Sequence, residues 1–173
     1  MKRQHTLPVS HWQEKVDFWK PLFDLSDWQI TVTLADLDKV HANEGVAACI
    51  NSNPDHKVAW VRVDPRAELD ASRSTLTTRG GERSQLVELG LDHDYLIGHE
   101  LSHATMRGVF DPLAALMDEA LNHSNIPTDL KALWQERSEQ LFHDAEELAV
   151  STLSRLVTRA YREGVITGES GND

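Results

Sequence analysis

Two histidines four residues apart enclose a glutamate in His99-Glu100-Leu101-Ser102-His103, and this run is the part of the 173-residue chain best equipped for chemistry. On a helix, residues i and i+4 project from one face, so both imidazoles can meet a single metal ion. Glu100 follows His99 directly and can reach the outer side of such an ion, where water would lie. Imidazole nitrogens suit zinc, and a catalytic zinc needs three protein ligands and one open position. Zinc held in this way lowers the pKa of water to about 7 and polarises a scissile carbonyl, while the glutamate takes the proton. In a chain of this length with nine histidines, chance yields the pattern about 0.03 times. The competing reading is a solvated helix face with two ordinary histidines, and apolar Leu96, Leu101 and Ala104 at helical spacing weaken it. We therefore expect His99 and His103 to bind Zn2+ and Glu100 to be the general base.

The third ligand is open on spacing alone. A metzincin carries a third histidine ten positions after the first, and that position is Val109, which excludes the class. His123 and His143 are the histidine candidates. Glu146 and Glu147, in the run HDAEELAVSTLSRLV, are the carboxylate candidates. Leu141, Ala145, Leu148, Ala149, Thr152, Leu156 and Ala160 form one apolar stripe at helical spacing, with Glu146 at its edge. Glu147 falls opposite, among Val150, Ser151 and Ser154, and these small serines would let the motif helix approach closely.

The elements that must position these residues are strands first and helices second, an α+β pattern. Ser10 with Gln13 resembles a capping box opening a helix of Trp12, Val16, Trp19 and Phe23, which Pro21 limits. Trp28, Ile30, Val32 and Leu34 alternate strictly, predicting a half-buried strand over Asp27–Leu34. A short strand over Gly45–Ile50, a turn at Asn51–Asp55 and a third strand over Lys57–Val63 follow. Residues 64–91 read as a long surface excursion with a short helix near Gln85–Leu89. Asp92 caps the motif helix, which holds Arg107 in its last turn and stops at Gly108. Asp111-Pro112 opens a second helix, and Pro127-Thr128 opens a third that runs to Gly164. A mid-helix glycine, Gly98, costs about 1 kcal/mol relative to alanine, and either close approach by another backbone or a simply tolerated cost would account for it.

Trp12, Trp19, Trp28 and Trp60 are expected in the core. His5, His11, His41 and His56 are expected at the surface, His93 in the first turn of the motif helix, and Tyr161 in a packing role. One domain is expected over residues 1–166, with a flexible tail over 167–173. The formal net charge of -11 speaks against a nucleic-acid partner. Cys49 is the only cysteine, which excludes an internal disulfide or a cysteine-rich zinc finger. No signal peptide and no apolar run of membrane-crossing length is visible, so a cytoplasmic protein without a membrane partner is expected. The sequence sets no oligomeric state.

Four segments together resemble small phage- and prophage-borne metallopeptidases, regarded as minimal gluzincins with a zincin-like fold. They are Leu25-Ser26-Asp27-Trp28-Gln29-Ile30, Ala59-Trp60-Val61-Arg62-Val63, the His99–His103 helix and Glu147-Leu148-Ala149-Val150-Ser151-Thr152-Leu153. The resemblance covers most of residues 25–160, and the HExxH core is its specific part. It implies a protein or peptide substrate, a small antiparallel or mixed sheet ahead of the HExxH helix, and a long C-terminal helix. It implies Glu147 as third ligand, with Val150 three residues on and Leu153 six on, whereas Glu146 would place Ala149 and Thr152 there. A strand beside the motif helix, taken as Lys57–Val63, would hold an extended peptide by edge addition. The rival enzyme reading is SprT-like, with His123 as third ligand. The rival from another class is a zinc-stabilised, non-catalytic regulatory or structural phage protein.

Overall fold

Period-2 alternation and 3.6-residue recurrence are realised here in a mixed α+β architecture. The computed structural model describes residues 7–37, 47–64, 93–123 and 125–166. Helix α1 spans Val9–Trp19 and buries Trp12, Val16 and Trp19 on one face. Pro21 limits it as expected: a 3₁₀ turn over Lys20–Phe23 follows and closes at Asp24 with φ 58°. The expected capping box does not form, because the helix begins after Pro8 with no side-chain cap. Gln13 serves the sheet instead. Its Nε2 donates to Ile30 O at 3.0 Å and its Oε1 accepts from Val32 N at 3.0 Å. A carboxamide has a donor and an acceptor, as a peptide group does, and so satisfies one stretch of the free edge of a strand.

That strand, β1 (Gln29–Leu34), buries Ile30 and Val32 and exposes the residues between them. Strand β2 covers Ala48–Asn53 and β3 covers Val58–Val63, in the sheet order β1-β3-β2. β1 runs parallel to β3 and β2 antiparallel to it. The sheet is therefore mixed, one of the two arrangements expected. The β2–β3 turn lies further along the chain than its composition suggests. Asn51 pairs with Trp60 and Asn53 with Val58, and the turn falls at Pro54–His56. Ladder pairing overrides the turn propensity of the asparagines. Residues 45–46 of the expected second strand lie outside the described residues.

Two expectations about β3 are corrected. Trp60 is 48% exposed, because Ala59, Val61 and Val63 take the core face and period 2 sends Trp60 to the other. β3 is also paired on both sides, so it has no edge open to a peptide, and among the described residues the sheet edge beside α2 belongs to β2. Trp12 and Trp19 are in the core as expected, and Trp28 packs against it half-buried.

Helix α2 runs unbroken over His93–His123, with Pro112 inside it, where two helices were expected. Gly108 ends a helix only by adopting positive φ, and it does not. The carbonyl that Pro112 leaves without its helical partner belongs to Gly108, and both residues are exposed, so water can replace the lost bond. Helix α3 covers Thr128–Arg162 and ends as expected at Gly164, with φ 70°. Val165 N bonds Ala160 O and Gly164 N bonds Tyr161 O, the bond pair of a Schellman motif.

The core lies between the inner face of the sheet, α1 and the first half of α2. The excursion from residue 65 onward with its short helix, the Asp92 cap, His5, His41 and the tail over 167–173 lie outside the described residues. Among the described residues no helix is long and apolar enough to cross a membrane.

Candidate metal centre

The site forms where the first half of α2 packs on the second half of α3. α3 meets α2 with a face of small residues: Val150, Ser151, Ser154 and Thr158 are buried. The apolar stripe of α3 is turned outward, with Leu141 69%, Leu148 56% and Leu156 62% exposed. Close helix approach decides this. A β-carbon on Gly98 would stand 3.0 Å from Ser154 Oγ and 3.3 Å from the Phe23 ring, a gap that leucines could not enter. Ser154 Oγ also bonds Tyr95 O at 3.3 Å. Gly98 thus answers a close contact, made by side chains of α3 and the Phe23 turn rather than by another backbone.

On this face His99, His103 and Glu147 can hold a metal ion, each offering one ligand atom within 4.8 Å of the others. Glu147 Oε1 lies 3.2 Å from His103 Nε2, and its Oε2 lies 3.5 Å from His99 Nε2. Metal–ligand bonds of about 2.05 Å in a tetrahedron put neighbouring donor atoms about 3.3 Å apart, and the two contacts, one from each oxygen of Glu147, are of that size. Both imidazoles present Nε2, their rings 5.0 Å apart and nearly perpendicular. His99 Nδ1 is buried with no hydrogen-bond partner among the described residues, and it is Nε2 that faces Glu147. Two neutral-capable nitrogens and one carboxylate at this spacing fit a divalent transition metal.

The electrostatics follow from burial and proximity. Burial disfavours the charged form of His103, but bonds to Glu147 and Glu146 and the charge of Glu100 outweigh it and hold its pKa up at about 9. Glu147 is pulled well below the usual carboxylate range by its bonds to His103 and His99, which overcome its desolvation. Glu100 is 5% exposed. Burial pushes its pKa up, against the pull of His99 and His103 and of a hydrogen bond from Ile50 N–H. In the same region Arg107 Nη1 donates to Ser52 O at 3.1 Å. Two outward backbone groups of β2 are thereby taken by α2.

The other candidates separate cleanly. His123 lies 20 residues beyond His103 on the same helix, about 30 Å along its axis at 1.5 Å per residue, and it does not join the group. His143 is exposed and also outside it. Glu146, a carboxylate candidate, lies outside the group but is half-buried, and its Oε1 meets His103 Nδ1 at 3.0 Å. Spacing gave no signal for that contact or for the bonds from β2, which depend on how α3 and β2 pack on α2. His93 Nδ1 lies 3.1 Å from His11 Nε2 and its ring packs on Trp12 in the first turn of α2, so His11 is half-buried rather than a plain surface residue. Tyr161 packs edge-on against Phe18 and Trp19. Compared with protein-family models, with curated proteins and with solved structures, the chain matches none.

Proposed function

We propose that this chain is a zinc-dependent metallopeptidase of the minimal gluzincin kind, hydrolysing peptide bonds in the cytoplasm of a cell, a host cell if phage-encoded. One observation carries the reading: His99 Nε2, His103 Nε2 and Glu147 converge on one point, with the Glu100 carboxyl buried beside them. Zinc at that point would supply Lewis acidity, acidifying water and polarising a carbonyl. The chain's own contribution lies in its side chains. Glu147, held ionised by two imidazoles, gives the third ligand that the HExxH run lacks. Glu100, its pKa raised by burial, can take a proton from the attacking water and pass it to the leaving amine. A substrate strand lying along β2 would share an edge on which Ile50 N–H and Ser52 O are already bonded, so pairing there would be short.

Elemental analysis tests the metal and a peptide library tests the reaction. Wild-type protein should carry about one zinc per chain, because a preformed three-ligand site couples affinity to folding. His99→Ala and His103→Ala should lose most of it, and chelation should stop hydrolysis. Equal trace zinc in all three proteins would remove the metal from the reading.

A second reading is favoured by Glu100 itself. A carboxylate 5% exposed and bonded to Ile50 N–H can serve to tie β2 to α2 in a zinc-stabilised protein that cleaves nothing. Zinc-loaded wild type with no activity across the library would select it.

A further inference from the structure

We propose that Glu146 is the positioning residue of this metal centre: it accepts a hydrogen bond from His103 Nδ1–H and so fixes Nε2 as the ligand nitrogen. The inference rests on the metal-binding reading above. Consecutive residues on a helix leave it about 100° apart, and here two consecutive glutamates grip one imidazole from both sides. Glu146 Oε1 is 3.0 Å from Nδ1 and Glu147 Oε1 is 3.2 Å from Nε2. A neutral imidazole has one N–H and one lone pair. In the neutral ring that a metal requires, the N–H committed to Glu146 would leave the lone pair on Nε2, the nitrogen that faces Glu147. The carboxylate also increases the basicity of the ring it bonds, as outer carboxylates do for ligating histidines.

The two ligands differ in how they are held. Nδ1 of His99 has no hydrogen-bond partner among the described residues, and its ring lies beside Tyr95 with centroids 6.1 Å apart. His99 is placed by packing and His103 by a directional bond. With Oε1 on the far nitrogen of the same ring, Glu146 stands outside the group of converging ligand atoms.

The test is zinc and cobalt(II) titration of metal-free protein by chelator competition, for wild type, Glu146→Ala, Glu146→Gln and Glu146→Asp. Zinc affinity should fall about 10- to 100-fold in Glu146→Ala, the usual cost of losing an outer-shell partner. It should fall less in Glu146→Gln, whose carbonyl oxygen still accepts the bond. The visible cobalt(II) spectrum should keep its shape, because the ligand set is unchanged. In zinc-loaded protein, ¹⁵N NMR should show His103 protonated at Nδ1, with that proton shifted upfield in Glu146→Gln. Zinc affinity in Glu146→Ala within twofold of wild type, in protein with unchanged circular dichroism, would overturn the assignment. So would a changed cobalt(II) spectrum, which would make Glu146 a ligand. Failure of the wild type to bind either metal would instead sink the metal reading, and this role with it.

Discussion

Replacing Glu100 by glutamine keeps its shape and removes its proton chemistry. Glu100→Gln should retain zinc, since Glu100 is not among the converging ligand atoms. Hydrolysis should drop on the order of 10²–10⁴-fold, the usual cost of a lost general base. Rate assays beside zinc analysis check this, and full activity would exclude the base role. His103 gives a second prediction with a definite sign. Its folded pKa of about 9 lies above its usual 6.5, so in metal-free protein its pairing stabilises fully below pH 6.5 and is lost as pH rises through 9. Glu147 has the depressed case: its contribution is present above its usual 4.5 and disappears as pH falls. Glu100, with a raised pKa, pulls with His103, becoming costlier to keep buried as it ionises. Metal-free thermal stability should therefore fall between pH 6.5 and 9, more steeply than in His103→Ala. Zinc affinity should rise over the same interval, up to about tenfold per pH unit, because the His103 proton must leave before zinc can bind. Melting curves in chelator and zinc competition across pH read the two opposite slopes. A flat affinity would show that His103 is not a ligand.

Between elements, the contact that matters is α2 on α3. Alanine at Gly98 would gain about 1 kcal/mol of helix propensity. Its methyl would press on Ser154 Oγ at 3.0 Å and Phe23 at 3.3 Å, in a place where both neighbours are buried. Overpacking of this kind costs about 1–3 kcal/mol, so Gly98→Ala should be destabilising on balance by about 1 kcal/mol and should weaken zinc binding by shifting His99. The orientation of α3 yields a paired test. Val150, fully buried, should lose about 2 kcal/mol on truncation to alanine. Leu148, larger but 56% exposed, should change stability by no more than about 0.5 kcal/mol. Denaturant unfolding of the two variants measures the difference, and the reverse order would mean that α3 is rotated.

For the whole molecule, one ion would tie the last helix to the helix that covers the sheet. His99 and His103 stand on the helix that covers the sheet, and Glu147 stands on the last helix. A ligand that binds only the folded state, at free concentration a thousandfold above its Kd, stabilises by about 4 kcal/mol. For a chain of this size, each kcal/mol moves Tm by about 2–4 °C, so chelation should lower Tm by about 8–16 °C. His123→Ala, remote along α2, should show the same shift as wild type. Differential scanning calorimetry with zinc and with chelator checks both. Equal melting temperatures with and without zinc would remove the coupling between metal and fold.

Local physics made much of this protein legible in its sequence. The i, i+4 histidines needed only helical geometry, the alternation from Trp28 to Leu34 needed only a pleat, and Gly164 marked a helix end by the positive φ that glycine adopts without strain. The choice of Glu147 came from a resemblance in spacing, and the apolar stripe of α3 argued against it. Tertiary packing decided which face of α3 turns toward α2. Helix α3 could come close to Gly98 only through Val150, Ser151, Ser154 and Thr158, so the leucines turned outward and Glu147 turned in. Propensity judged Gly108 and Pro112 a break, yet both stay within α2, because a glycine stops a helix only when it adopts positive φ. The Glu146–His103 bond, the capture of Ile50 N–H by Glu100 and the hold of Gln13 on β1 join residues from 17 to 50 positions apart. No local periodicity encodes such pairs, because each depends on which faces meet when separate elements pack.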